Sequence, residues 1–345
     1  MINHQERRDR IIEAVVTRFL ESGEPVSSAF VTGMCNLGLS SATIRNIMKD
    51  LEDDGFLTHP HTSAGRLPTV KCYRYYVKHL MPGVDPSDEE LLDAKRLVES
   101  VLRENDADIF MSHIAKVLSE VTDLIGVAVS PSFEKGIFDR LEIINLGGTR
   151  FLVIISLKNG IVKTINLTVD RVIPRIKIDE TARVLTDRLH GLTVYEIKKS
   201  IKDRLKGFTG GDKSLFDVIL DNRNRIFDFA KNDNLHIAGL SRLLSHFNYA
   251  PADYTLRLAE MFEHKSTIAQ SLDLIDLDIN NVSIHIGDSV LLNSAPALTI
   301  VTAGFAYEDA KGAIAVIGPT RVHYPRLSAI VKYTAQITTH YFSKS

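Results

Sequence analysis

In this chain of 345 residues, the side chains best equipped to act on another molecule fall between Ser40 and Arg74. Arg45, Asn46 and Lys49 follow the small residues Ser41, Ala42 and Thr43 in the run SSATIRNIMKDLEDDGF. Arginine can present two donors to guanine O6 and N7, and asparagine can pair in two-pronged fashion with adenine N6 and N7. The trio therefore holds the groups needed to read base edges, with Lys49 available to phosphate. Downstream, no acidic residue occurs between Asp54 and Asp85, whereas Arg66, Lys71, Arg74 and Lys78 do, together with His59, His61 and His79. His61, Thr62 and Ser63 offer small hydrogen-bonding groups there, and Arg66, Lys71 and Arg74 offer charge, the combination a phosphate backbone takes up.

Those residues work together only if local elements put them on one surface. On a helix of 3.6 residues per turn, Ile44, Ile47, Met48 and Leu51 form one stripe, with Ala42, Arg45, Asn46 and Lys49 opposite. Ser40 and Ser41 are fitted to cap its start. Two helices are predicted before it, one over Gln5–Glu21 with Ile11, Ile12, Val15, Val16, Phe19 and Leu20 at helical spacing, and a shorter one from Ser27 or Ser28 to about Met34. After Gly55, FLTH and RLPT read as short strands flanking PHTSAG, with Gly65 permitting a tight turn. Three helices followed by a two-stranded wing is the order of a winged helix-turn-helix, whose third helix lies in a major groove. A polar helix face is equally what solvent alone would select; its place as third helix in this order decides for the groove.

The remainder reads as alternating helical and strand patterns. MPGVDPSD, with Pro82 and Pro86, reads as a linker, and helices are predicted near 88–104 and 107–122. From residue 122 the period changes to that of strands through VKTINLTV. Helical patterns return from about Asp179, including a capping box at Thr193 and Glu196, and strands resume beyond Asn281 before a last helix over about Arg321–Phe342. The economical fold class is α+β: a winged-helix domain over 1–80, a connecting segment over 81–122, and one sheet domain over 123–189 and 266–345 interrupted by a helical insertion over 190–265. Leu215, Phe216, Ile219, Leu220, Ile226 and Phe227 in that insertion exceed what a small excursion needs for its own core, so they are predicted to meet a second copy of the chain.

Composition narrows the function class. Apolar residues make up 44% and charged residues 24%, in the range of ordinary globular proteins, and no apolar run reaches the length of a membrane span. The net charge is −2, and up to Met81 ten Lys and Arg stand against nine Asp and Glu, so bulk charge alone nominates no partner. With two cysteines, Cys35 and Cys72, and a charged start without an apolar stretch, the expected setting is a reducing cytoplasm without disulfides. His59 and His61 form an H-x-H pair, but zinc wants three or four converging ligands, and no metal or cofactor is expected. Arg321, His323 and Tyr324 in GPTRVHY have two readings: the lining of a ligand pocket, or polar groups bracing a helix start. Tyr73, Tyr75 and Tyr76 read as packing residues. No nucleophile elbow or glycine-rich phosphate loop occurs, so no catalytic residue is nominated and an enzyme is not expected. A winged helix that binds protein would not need the cations of 66–74.

SSATIRNIMKDLEDDGFL, followed by HPHTSAGRLPT and YRYYV, resembles the heat-inducible transcription repressors of the HrcA family, and IGPTRVHYPRLSAIVKY matches that family's closing motif. The chain departs from the family pattern at Ser289–Val290 and Val322. The resemblance implies a winged-helix N-terminal domain, a GAF-like domain and an inserted dimerisation domain. It further implies a homodimer on double-stranded DNA, at an inverted-repeat operator ahead of chaperone genes, relief of repression by heat, and a chaperonin partner that maintains the active form.

Overall fold

Local signals at the N-terminus produce the three predicted helices. In the computed structural model, α1 (His4–Ser22) turns Ile11, Ile12, Val15 and Val16 inward and stops at Gly23, whose φ of 71° lets its N–H bond back to Phe19 O. That left-handed backbone suits glycine, which has no Cβ to clash. α2 (Ser28–Cys35) and α3 (Ser41–Asp53) follow, and the Ser40 hydroxyl caps α3 by accepting from Thr43 N. β1 (Leu57–Thr58) and β2 (Leu67–Pro68) pair antiparallel, with Leu57 opposite Pro68. α4 (Val70–His79) then buries Cys72, Tyr73 and Tyr76 against the helices. The structure describes residues 3–35, 37–60, 65–82, 91–104, 106–131, 136–158, 162–207, 210–227, 235–247, 252–263, 268, 279, 281–287, 298–307 and 310–344. Among them no helix is long and apolar enough to cross a membrane.

After α5 (Leu92–Ser100), a 3-10 turn over Val101–Arg103 and α6 (Ala107–Thr122), the chain enters β3 (Ile125–Val129), all five of whose residues are buried. Later come β7 (Leu235–Ala238), α11 (Leu240–Ser245), α12 (Ala252–Glu263), β8 (Val282–Ile286), β9 (Leu298–Tyr307), β10 (Ala310–Pro319) and α13 (Tyr324–Lys344). The five strands form one sheet in the order β7-β3-β10-β9-β8, in which β3 pairs antiparallel with both β7 and β10. A strand buried on both faces reads as a continuous apolar run, as IGVAV does. α6 packs on β3, and its Phe110 stacks on Tyr341 of α13 with ring centroids 3.6 Å apart.

In sequence, a second, separate sheet with its own helices intervenes between β3 and β7. β4 (Phe138–Gly147), β5 (Arg150–Leu157) and β6 (Val162–Thr168) form a three-stranded antiparallel sheet, followed by α7 (Arg175–Leu189), α8 (Val194–Arg204), α9 (Lys213–Asp221) and α10 (Arg223–Ile226). Along β5, Phe151, Val153, Ile155 and Leu157 are buried while their neighbours are not, the alternation of a sheet covered on one face. The capping box is present: Thr193 Oγ1 accepts from Glu196 N, and the Glu196 carboxylate accepts from Thr193 N.

The strands are thus divided otherwise than the sequence pattern predicts. One interrupted sheet was the expectation; β4–β6 instead pair only among themselves, and β3 is joined by strands from far downstream. The chain splits into two compact units, Met1–Val129 with Leu235–Phe305 and Ala313–Tyr341, and Ser130–Asn234 with Ala306–Gly312 and Phe342–Ser345. The excursion therefore opens at 130 and not at 190, because the half-exposed hairpin strands belong with the helices that cover them. Helix α9 ends at Asp221: Asn222 leaves the helical backbone, and its side chain donates to Val218 O.

Four of the six residues predicted to meet a second copy require correction. Leu215, Ile219, Ile226 and Phe227 are fully buried in the second unit's own core with Phe138, Phe151 and Leu185, and Phe216 and Leu220 pack partly buried against it. A side chain with no exposed surface has none to offer a partner.

Candidate nucleic-acid interface

Helix α3 is held by burial of one face and leaves the other free. Ile44, Ile47, Met48 and Leu51 are buried among Ile11, Ile12, Val15 and Val16 of α1 and Val31 of α2. Each buried apolar side chain of this size contributes about 1.5–3 kcal/mol, so the orientation of α3 is strongly specified. On the opposite side Ala42, Thr43, Arg45, Asn46 and Lys49 are exposed. Among the described residues no hydrogen bond or ion pair engages Arg45, Asn46 or Lys49. Ser41 is half-buried, its Oγ 3.3 Å from Ser28 Oγ, which ties the first turns of α2 and α3 together. Thr43 Oγ1 lies 2.9 Å from the capping Ser40 Oγ. The structure thus brings Ala42, Thr43, Arg45, Asn46 and Lys49 onto one solvent-facing surface, with Ser41 at its edge.

The cations downstream are placed differently. Arg66 is turned onto its own protein: Nε lies 2.8 Å from Glu52 Oε2 on α3, and Nη1 lies 2.8 Å from His59 Nδ1. Lys71 Nζ donates to Asp54 O at 2.7 Å, across the end of α3, and stands 4.5 Å from the centre of the Phe56 ring. A cation at a helix C-terminus satisfies the last carbonyls and meets the negative end of the dipole. Arg74 donates from Nε to Ile286 O at 2.8 Å and from Nη2 to Gly287 O at 3.1 Å. The three cations predicted to contact phosphate are therefore engaged within the chain. His61, Thr62 and Ser63 lie outside the described residues.

Gly65 meets a need beyond the predicted turn, the rest of which lies outside the described residues. Its backbone lies so close to Pro25 that an added Cβ would sit 2.6 Å from Pro25 Cβ and 2.7 Å from its carbonyl carbon. The next residue exchanges two backbone hydrogen bonds of 2.9 Å with Val26, so the loop before α2 and the β1–β2 ribbon are joined edge to edge. The ribbon is thereby fixed beside the α2–α3 pair.

The tyrosines pack, as predicted. Tyr73 and Tyr76 are buried, and burial raises both phenol pKa values. Tyr75 meets Phe56 edge to face at 5.4 Å and donates to Asp9 Oδ1 of α1. Burial pushes the Cys72 thiol up to about 12, which leaves it protonated and unreactive at neutral pH. In GPTRVHY two polar groups brace the helix start: Tyr324 is fully buried and donates to Thr320 O, and His323 Nδ1 accepts from Arg326 N in the first turn of α13.

A helical trio carrying a short antiparallel ribbon, ahead of an α+β body, is the class of architecture these elements define. A crystal structure described as that of a hypothetical protein shares it, with a TM-score of 0.63 at 21% identity over 100% of this chain and 99% of that one. Residues 108–327 match the family described as HrcA protein C terminal domain. The heat-inducible transcription repressor HrcA of Prosthecochloris aestuarii is 34% identical over 98% of this chain and 97% of its own length. That of Chlorobium phaeobacteroides strain BS1 is 32% identical, covering 98% of each. The chain belongs to the HrcA family.

Proposed function

We propose that the chain is a transcription repressor that binds duplex DNA through a winged helix-turn-helix, with α3 in the major groove and the β1–β2 ribbon as the wing. The observation that carries this is the α3 face itself: Arg45, Asn46 and Lys49 are exposed and unengaged, on a helix whose other side is locked into a core. Unpaired donors on a rigid element are what base-edge recognition uses, since preorganised groups lose little freedom on binding. The relatives' name and the family membership support the same reading.

The protein acts in the cytoplasm as a homodimer, and two recognition helices related by a two-fold axis call for an inverted-repeat operator. The five-stranded sheet with its helices is the GAF-like domain. The excursion between β3 and β7 carries dimerisation through surface that its core does not use. The outer face of β4–β6 offers such surface, because Ile144, Leu146 and Val162 are exposed there and Leu152 and Ile154 lie half-buried between them. Genes for chaperones stand under this operator, and heat relieves them. A DNA-competent dimer of marginal stability loses occupancy as warming depletes it, and a chaperonin that returns the depleted form to the fold couples repression to spare folding capacity.

The test is operator binding by the purified chain before mild heating, after it, and after incubation with chaperonin and ATP. Binding is expected to be lost on heating, to stay lost on cooling, and to return with chaperonin. Full recovery on cooling alone, or release by a metabolite at constant temperature, would defeat the mechanism.

A further inference from the structure

Two arginines far apart in sequence make the same kind of contact across one boundary. Arg74, on α4, donates to the backbone carbonyls of Ile286 and Gly287 at the end of β8, at 2.8 and 3.1 Å. Arg321, just before α13, donates in the other direction, from Nε to Phe19 O at 3.2 Å and from Nη2 to Leu20 O at 3.4 Å, in the last turn of α1. Its guanidinium stands 5.4 Å from the Phe19 ring centre and directly over Gly23, where an added Cβ would lie 2.6 Å from Nη1. The helix-and-ribbon body thus reaches into the sheet domain with one cation and receives one from it. Charge-assisted bonds to backbone carbonyls are directional as well as attractive, so a crossed pair, one to the end of a strand and one to the end of a helix, resists rotation as well as separation.

Between the two arginines the bodies share a core. Tyr324 and Ile286 are 0% and 2% exposed, and both belong to the cluster built from α1, α3 and α4. Tyr73 and Tyr324 meet with ring centroids 5.8 Å apart. Val322 and Ile284 pack on the same cluster. A domain on a free tether would bury none of this.

We propose that Arg74 and Arg321 are positioning residues for operator recognition: by locking the α1–α4 body to the sheet domain they fix the separation and phase at which a dimer presents its two α3 helices. This rests on the reading of a dimer at an inverted repeat. Neither arginine contacts DNA in this role. Its signature is selectivity for half-site spacing, because two base pairs inserted between half-sites turn one by about 70° and move it by about 7 Å, beyond what a locked pair can follow.

The experiment uses the full chain and the tightest inverted repeat that it selects from randomised duplex DNA. The parent, Arg74→Ala, Arg321→Ala and the double variant are each assayed on that duplex, on the same duplex with two base pairs inserted or removed at the centre, and on a single half-site, with thermal midpoints recorded beside them. The parent is expected to lose about tenfold or more on the altered spacings, since simultaneous engagement fails when geometry forbids it. The double variant is expected to lose about threefold or less, with half-site affinity within about twofold of the parent's, because α3 itself is untouched. Should the double variant not fold, the single variants, which leave the Tyr73–Tyr324 contact in place, carry the same comparison. A spacing profile identical to the parent's overturns the proposal while leaving the dimeric reading standing. A parent indifferent to spacing overturns both.

Discussion

At the scale of the residue, the distinction that matters is between cations left free and cations already engaged. Arg45 and Asn46 are free, and Arg45→Ala or Asn46→Ala is expected to lose about 1–3 kcal/mol on the preferred site and to relax base preference, as measured on matched and mismatched duplexes. Lys49→Ala, by contrast, is expected to weaken all sequences alike and to lower the salt slope by about one. Arg66 is the instructive case, because Glu52 holds it much as a phosphate would. Removing that competitor by Glu52→Gln is expected to tighten binding to every duplex and to steepen the salt slope by about one; an unchanged slope would make Arg66 a brace for the ribbon. The residue types of the candidate face were legible from sequence, since a helical wheel places Arg45, Asn46 and Lys49 opposite the apolar stripe. The internal engagement of Arg66, Lys71 and Arg74 was not. An acceptor such as Ile286 O is 212 residues from Arg74, and no local pattern announces it.

At the scale of the element, the ribbon's position depends on one close approach. Gly65→Ala would drive a methyl into Pro25, and overpacking of this kind costs about 1–3 kcal/mol. It is expected to lower the denaturant midpoint and to weaken binding to matched and mismatched duplexes together, while Ala substitution at exposed Thr43 leaves the unfolding free energy within about 0.5 kcal/mol. Helix boundaries were read well where a cap announces them: Ser40 before α3 and Thr193 before α8 both make the bonds their types allow. They were read poorly where tertiary packing sets them. β7, only four residues long, has no periodicity to detect and exists because β3 offers it an edge. Gly65 was recognised as necessary for a turn, but its contact with a loop forty residues earlier has no local pattern to announce it.

At the scale of the whole molecule, α+β class and the order of helices and strands were legible, whereas the partition of strands into two sheets was not, because hydrophobic period reports burial and not which strand is the neighbour. The same gap misassigned Leu215, Ile219, Ile226 and Phe227, whose stripe is apolar for the sake of the unit's own core. Ile144→Asp combined with Val162→Asp, on the exposed face instead, is expected to give monomers in sedimentation with half-site binding intact; a persisting dimer would remove that face from the interface. The shared core of α1, α3 and α4 with Ile286 and Tyr324 has a further consequence in time. Leu80 leaves the ribosome long before Tyr324, and at roughly 5–20 residues per second the 244 residues between them take roughly 12–50 s to synthesise. Through that interval Tyr73 lacks its downstream partner Tyr324, so each newly made copy passes through a stage in which this part of the core is incomplete at every temperature. The last strands and α13 must therefore close over an already formed helical body before the shared core is complete.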